Sequence, residues 1–297
     1  MRVLKKIAVV VVILVGIVVA SLFYIGSGVE AQQADLSSTY LKENIPLTDP
    51  LSERWEKAAA FNIGFGGQTV VKPFKPTPSI SSMTVKILNN DTHISFLLTW
   101  SDSTKNTRAV KADEFRDAVA ILIAEPRKEA LLVMGTVDSP VNILHWKADW
   151  QADMDEGFQD LVSAYPNFWI DVYPSAVGKP PYSVPEDFPD AAKLYIVGWQ
   201  VGNPLSQPLK VTPVEESNAK GFGSLATQSH QDSLGRGVWK DGVWMVVISR
   251  SLSTDDEEDV QMKRGSAYTV AFAVWDGASG DVGGRKSVST LHRVYIP

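Results

Sequence analysis

An all-β fold, a sandwich or a barrel, is what this 297-residue sequence predicts. Three observations carry that expectation. Short runs of β-forming residues recur along the chain, turn residues separate them, and no long segment repeats its apolar positions every 3.6 residues. Two hairpins can be read directly. The first joins 83–88 to 93–100 across Asn89-Asn90-Asp91, and the second spans 237–247 around Lys240-Asp241-Gly242. Asp-Gly is the pair that a primed hairpin turn favours, because both central positions need positive φ. Similar runs lie at 117–123, 130–134, 141–146, 194–201, 243–249 and 268–275.

The chain opens with Arg2, Lys5 and Lys6, followed by 20 residues, 7–26, without a charge. A basic start before a long apolar run is an export signal, expected as a hydrophobic helix. Val29-Glu30-Ala31 ends in a small residue and suits cleavage, while the run is long enough to remain as a membrane anchor. Either outcome puts the remainder on the extracytoplasmic or periplasmic side, secreted or anchored. Residues 32–50 are polar, contain Pro and read as a linker; 51–60 suggest a short helix. The body is then one domain over 51–297. Its strand rhythm breaks between 149 and 190, a stretch rich in Pro, Tyr, Trp and acids that reads as a long loop insertion. Loops of that length usually carry or cover something functional.

Composition excludes several chemistries. With no Cys there are no disulfides, thiolate metal sites, iron–sulfur clusters or thioether-linked haem. Four His, at 93, 145, 230 and 292, leave any metal to carboxylates, Met or Lys as well. The formal charge is −6, and loss of 1–31, with three basic residues and Glu30, makes it −8. No basic face offers itself to nucleic acid. The run Asp255-Asp256-Glu257-Glu258-Asp259 reads first as a solvated loop and second as a landing site for a basic carrier. No nucleophile elbow, phosphate-binding loop or H-E-x-x-H motif occurs, and the clusters at 64–67 and 221–223 are Gly turns without a following helix. An active site in this chain is therefore the weaker expectation. Trp100, Trp239, Trp244 and Trp275 sit at strand positions and are expected in the sandwich core.

Several segments, in their order and spacing, resemble one family. They are Trp55 with Gln68 and Pro73, Leu98-Thr99-Trp100-Ser101-Asp102, Phe115-Arg116-Asp117-Ala118-Val119, and Met134-Gly135 followed by Pro140-Val141-Asn142-Ile143 and Trp146-Lys147-Ala148. Gly221-Phe222-Gly223, Gly237-Val238-Trp239-Lys240-Asp241-Gly242 and Val274-Trp275-Asp276-Gly277 continue the series. Together they are similar to the haem b-binding γ subunits of periplasmic molybdoenzymes of the type II dimethyl sulfoxide reductase group, which act on ethylbenzene, dimethyl sulfide, selenate, chlorate and nitrite or nitrate.

The resemblance implies an immunoglobulin-like β-sandwich with one non-covalent haem b in a slot between the sheets, ligated by a Met sulfur and a Lys amine. The Met falls on Met134. The Lys falls on Lys286, in Gly283-Gly284-Arg285-Lys286-Ser287, with Lys220 as the alternative, and Arg285 and Asn142 are further candidate cofactor contacts. A Met–His pair using His145 or His292 ranks below Met–Lys. Two neutral ligands favour a high reduction potential. The implied role is electron transfer without catalysis, between an iron–sulfur β subunit wired to a molybdopterin α subunit and a soluble cytochrome c. The competing readings are a carbohydrate- or ligand-binding sandwich without haem, and a stand-alone anchored b-type cytochrome.

Overall fold

A computed structural model describes residues 34–125, 134–159, 161–165, 196–207 and 210–297. Among these described residues fifteen strands form two sheets. They are β1 (Leu36–Ser37), β2 (Thr39–Tyr40), β3 (Ala60–Gly64), β4 (Gly66–Gly67), β5 (Ser82–Asn89), β6 (His93–Ser101), β7 (Ala118–Ala124) and β8 (Val141–Lys147), then β9 (Val214–Ala219), β10 (Ala226–Thr227), β11 (Leu234–Lys240), β12 (Val243–Ser251), β13 (Ser266–Trp275), β14 (Ser287–Val288) and β15 (His292–Ile296). The nine-stranded sheet runs β1-β15-β13-β7-β8-β9-β10, with β14 beside β13 and β4 beside β14; the six-stranded sheet runs β11-β12-β6-β5-β2, with β3 beside β5. The pairings are antiparallel apart from β1 with β15 and β2 with β5.

Both expected hairpins form. β5 and β6 pair from Thr84↔Thr99 to Asn89↔Ile94. β11 and β12 pair across Asp241 and Gly242, whose φ values of 52° and 78° are the two positive values a primed turn requires. Strands also form over 118–124, 141–147, 243–251 and 266–275. The expected run at 130–134 lies, apart from Met134, outside the described residues. The run at 194–201 is not a strand where it is described: Val197–Gln200 is a short α-helix. The expected helix at 51–60 is one 3-10 turn, Glu53–Lys57, capped by Ser52, after which the chain enters β3. The loop insertion opens with helix α1 (Ala148–Glu156), which follows β8 without a break, and includes α2 (Leu161–Ala164).

The stretch expected as a linker is packed onto the sandwich from residue 34. β1 and β2 add to one sheet each, Leu36 and Ile45 are buried, and the Ser95 hydroxyl donates to the Pro46 carbonyl at 2.6 Å. Its apolar residues Leu41, Ile45 and Leu47 cover the outer face of the six-stranded sheet around Trp55 and Val247. Among the described residues no helix is long and apolar enough to cross a membrane.

The space between the sheets, where the sequence reading put a haem slot, is filled by side chains. Alternate residues of β7 (Val119, Ile121, Ile123), β13 (Val270, Phe272, Val274) and β8 (Leu144, Trp146) meet Ile87, Phe96, Leu98 and Val246 of the opposite sheet. Trp100 stacks on Trp244 at 6.2 Å, and Trp146 meets Trp244 edge-on at 5.1 Å. Close approach of Trp146 to β11 depends on Gly237, where a Cβ would lie 2.4 Å from the indole Cζ2. A strand alternates its side chains between faces, so the remaining residues of β7, β8 and β13 point outward. On that outer face the sequence puts small residues, Ala118, Ala120, Ala271 and Ala273, and this leaves room for a site.

Candidate functional site

Met134 and Lys286 line the same pocket, of about 410 Å³, on the outer face of the nine-stranded sheet. Its floor is Ala120, Ile143, Ala271 and Ala273, with Trp275 as one wall. Ala273 pairs with Ala120, and Ala120 with His145, so three adjacent strands present two methyl groups and one imidazole in a row. Larger residues at the alanines would close the pocket.

Each candidate ligand is positioned by local structure. Met134 precedes Gly135, whose φ of +67° turns the chain and where a Cβ would lie 2.7 Å from the Ser139 carbonyl oxygen. Thr136 and Ser139 then exchange backbone hydrogen bonds of 2.9 and 3.1 Å, returning the chain into β8. The Met134 carbonyl accepts the Gly221 N–H at 2.8 Å, so the Gly of the 221–223 cluster anchors the Met turn.

Lys286 sits at the end of the 283–286 turn, immediately before β14 pairs with β13 through Val288 and Ser287. That turn is held from three sides. The Gln68 amide donates to the Gly284 carbonyl at 2.7 Å, the Trp275 indole donates to the Gly283 carbonyl at 3.1 Å, and the Arg285 N–H reaches the Val282 carbonyl at 2.9 Å. Gln68 was part of the motif series without an assigned role, and this clamp supplies one.

The Lys286 ammonium lies 4.9 Å from the centre of the Trp275 ring. Burial away from water pushes its pKa down to about 8, and no described carboxylate pairs with it. An amine that gives up its proton readily, lining one apolar pocket with a thioether, is a donor set suited to a soft or borderline metal ion with little attraction for Ca²⁺ or Mg²⁺. Two neutral donors with no thiolate or carboxylate also match an iron already charge-balanced by a porphyrin.

The other predicted residues are elsewhere. Lys220 is exposed and does not line the pocket, although Gly221 beside it touches Met134. Arg285 is exposed on the turn. Asn142 is buried and ties the loop before β13 to the sandwich: its amide donates to the Glu258 carbonyl at 2.9 Å and its oxygen accepts the Val260 N–H. It is a structural tether because, as an even-numbered position of β8, it faces inward. His292 pairs with Asp35 at 2.5 Å, away from the pocket. Trp100 and Trp244 are core as expected and Trp239 is partly buried against it, but Trp275 is on the outer face and lines the pocket.

Residues that carried no signal in the sequence also build the sheet here. β9, Val214–Ala219, reads VEESNA and is buried throughout. It is possible because Glu215 pairs with the buried Lys147, while Glu216 accepts the Asp232 N–H at 2.8 Å and the Ser233 N–H. Burial nevertheless lifts the Glu216 pKa to about 7.

These features define a class, an all-β domain that presents a thioether and a desolvated amine to an apolar pocket on one sheet. The chain belongs to the ethylbenzene dehydrogenase family, whose model matches residues 52–287. It is 23% identical over 241 residues to a respiratory nitrate reductase haem subunit of Haloferax mediterranei, covering 81% of this chain and 65% of that one. It is 24% identical to the γ subunit of dimethylsulfide dehydrogenase of Rhodovulum sulfidophilum, over 65% of this chain and 51% of that one. The γ subunit of chlorate reductase of Ideonella dechloratans is 22% identical, with 81% and 75% covered. Among solved structures, a family 9 carbohydrate-binding module of Caldicellulosiruptor kristjanssonii aligns with a TM-score of 0.38 at 10% identity, over 88% of this chain and 95% of its own.

Proposed function

We propose that this chain is a non-catalytic electron-transfer subunit that holds one haem b, with Met134 and Lys286 as its axial ligands. The observation that carries the reading is the convergence of these two side chains on one pocket. Haem b, when bound, supplies a one-electron couple between ferric and ferrous iron. The chain's own residues do the rest. Met134 offers a sulfur that holds no proton at any pH. Lys286 offers an amine already shifted toward its neutral form by desolvation. Ala120, Ala271 and Ala273 leave the space, and Ile143 and Trp275 line it with apolar surface.

Two relatives are named as γ subunits, one of a dehydrogenase and one of a reductase, which supports a role alongside further subunits. We assign as partners an iron–sulfur β subunit and a molybdopterin α subunit, with a soluble cytochrome c as the other redox partner. Without cysteine, this chain would leave every iron–sulfur centre to a partner. The basic start and apolar run at 7–26 support an extracytoplasmic location, with the leader either cleaved or retained as an anchor.

The test is an absorption spectrum of the purified full chain, with pyridine haemochrome and metal analysis. A Soret band and a b-type haemochrome with one iron per chain are expected. A colourless, iron-free protein purified from cells that make haem would overturn the reading.

A further inference from the structure

A second cavity, of about 360 Å³, lies beside the Met134/Lys286 pocket, with Trp275 as a wall of both. Ala118 and His145 continue the outer faces of β7 and β8 from Ala120 and Ile143, so the two cavities lie end to end along the sheet. Their linings differ. The first is apolar apart from Lys286 and Ser289, whereas the second contains Arg116 and His145.

His145 stacks on Trp275 at 4.5 Å with 24° between the planes, which fixes the imidazole's orientation. Its Nε2 is buried and has no hydrogen-bond partner. A buried polar atom left unpaired is costly, so an unmatched imidazole nitrogen on a residue that lines a cavity points to a polar occupant. Arg116 spends one nitrogen on Asp149, at 2.8 Å, and the rest of its fork of donors stays open. The two acids that line the cavity are already engaged. Asp281 takes Lys75 and the Ser79 hydroxyl, and Glu114 accepts the Val110 and Lys111 N–H groups. What remains open is a cationic guanidinium and an imidazole nitrogen that donates in one tautomer, which together suit a carboxylate.

We propose that this cavity receives a propionate carboxylate of the haem, held by the His145 ring N–H and the Arg116 guanidinium. The proposal rests on the haem reading above. Haem carries an apolar macrocycle with two carboxylates along one edge, and the cavity past Trp275 meets that need where the apolar pocket does not.

The experiment compares haem b with its dimethyl ester, in which both carboxylates are neutral, by Soret titration of the full chain prepared without haem. Wild type is expected to bind haem about tenfold or more tightly than the diester, the scale of a lost charge-assisted hydrogen bond. His145→Leu and Arg116→Met should each pull that ratio toward one, and His145→Gln, which keeps a donor, should retain most of it. A loss of folding would weaken both ligands together, so the ratio is the readout. Equal binding of haem and diester by wild type overturns the proposal, as does a wild-type ratio in His145→Leu. A protein that gives no Soret band with either ligand overturns the haem reading itself, a result distinct from equal binding.

Discussion

Met134 and Lys286 stand 152 positions apart in the chain and meet in one pocket on the outer face of the nine-stranded sheet. Neither is part of a local motif that could bind a metal alone. The Met turn is tied to Gly221 after β9, and the Lys turn to Gln68 after β4, so strands distant in sequence hold the two halves of the site. Both turns are braced by backbone and amide hydrogen bonds, which suits a donor pair whose geometry has to be ready before a metal arrives.

Replacing either donor should change the haem spectrum. Met134→Ala and Lys286→Ala are each expected to convert a low-spin six-coordinate spectrum to one with an open axial position. Haem affinity should fall by at least the ~10–100-fold typical of outer-shell changes at metal sites. A low-spin spectrum unchanged in both variants would remove these residues as ligands.

Without haem, Lys286 should burden the fold. Its pKa of about 8 in the folded chain lies below the ordinary 10.5, so below pH 8 the buried ammonium is charged in both states and costs stability. Between pH 8 and 10.5 the unfolded chain holds the proton more tightly, and stability rises with pH. Lys286→Met is therefore expected to stabilise the haem-free protein at pH 7 by up to about 3 kcal/mol, at 1.36 kcal/mol per pKa unit. That gain should fade above pH 10. Urea unfolding of both proteins at pH 7 and 10.5 measures it, and equal midpoints at pH 7 would count against a desolvated amine.

Filling the pocket should separate folding from haem uptake. Ala273 projects into the empty space beside Ala120, so Ala273→Leu adds three carbons without meeting the core between the sheets. The thermal midpoint should stay level or rise, since a cavity is filled. The Soret band on reconstitution should be lost. Normal haem uptake by this variant would place the cofactor elsewhere.

Gly237→Ala should act in the opposite sense. The new methyl would sit 2.4 Å from Cζ2 and 2.9 Å from Cη2 of Trp146, itself wedged against Trp244. Neither indole has room to retreat, and overpacking of this kind costs about 1–3 kcal/mol. Urea unfolding with an unchanged m-value and a lower midpoint is the expected result; an unshifted midpoint would mean that β11 can move away.

The sequence by itself determined the β architecture, because alternation and turn chemistry act over a few residues. Asp241-Gly242 specified its own turn, and the 83–100 hairpin followed from its β-formers and Asn-rich turn. Local pattern failed where long-range partners decide the outcome. The polar run 214–219 became a buried strand because Lys147 pairs with Glu215 and the backbone N–H groups of Asp232 and Ser233 hydrogen-bond Glu216. Residues 34–50 became part of the sandwich because Ile45 and Leu47 found an apolar sheet face to cover. Met134 and Lys286 were named from resemblance to a family, whereas their shared pocket is a product of folding. The face they occupy was decided by the tertiary structure too. Large side chains of β7, β8 and β13 pack inward against the second sheet, so the alanines left over face outward and open the pocket there.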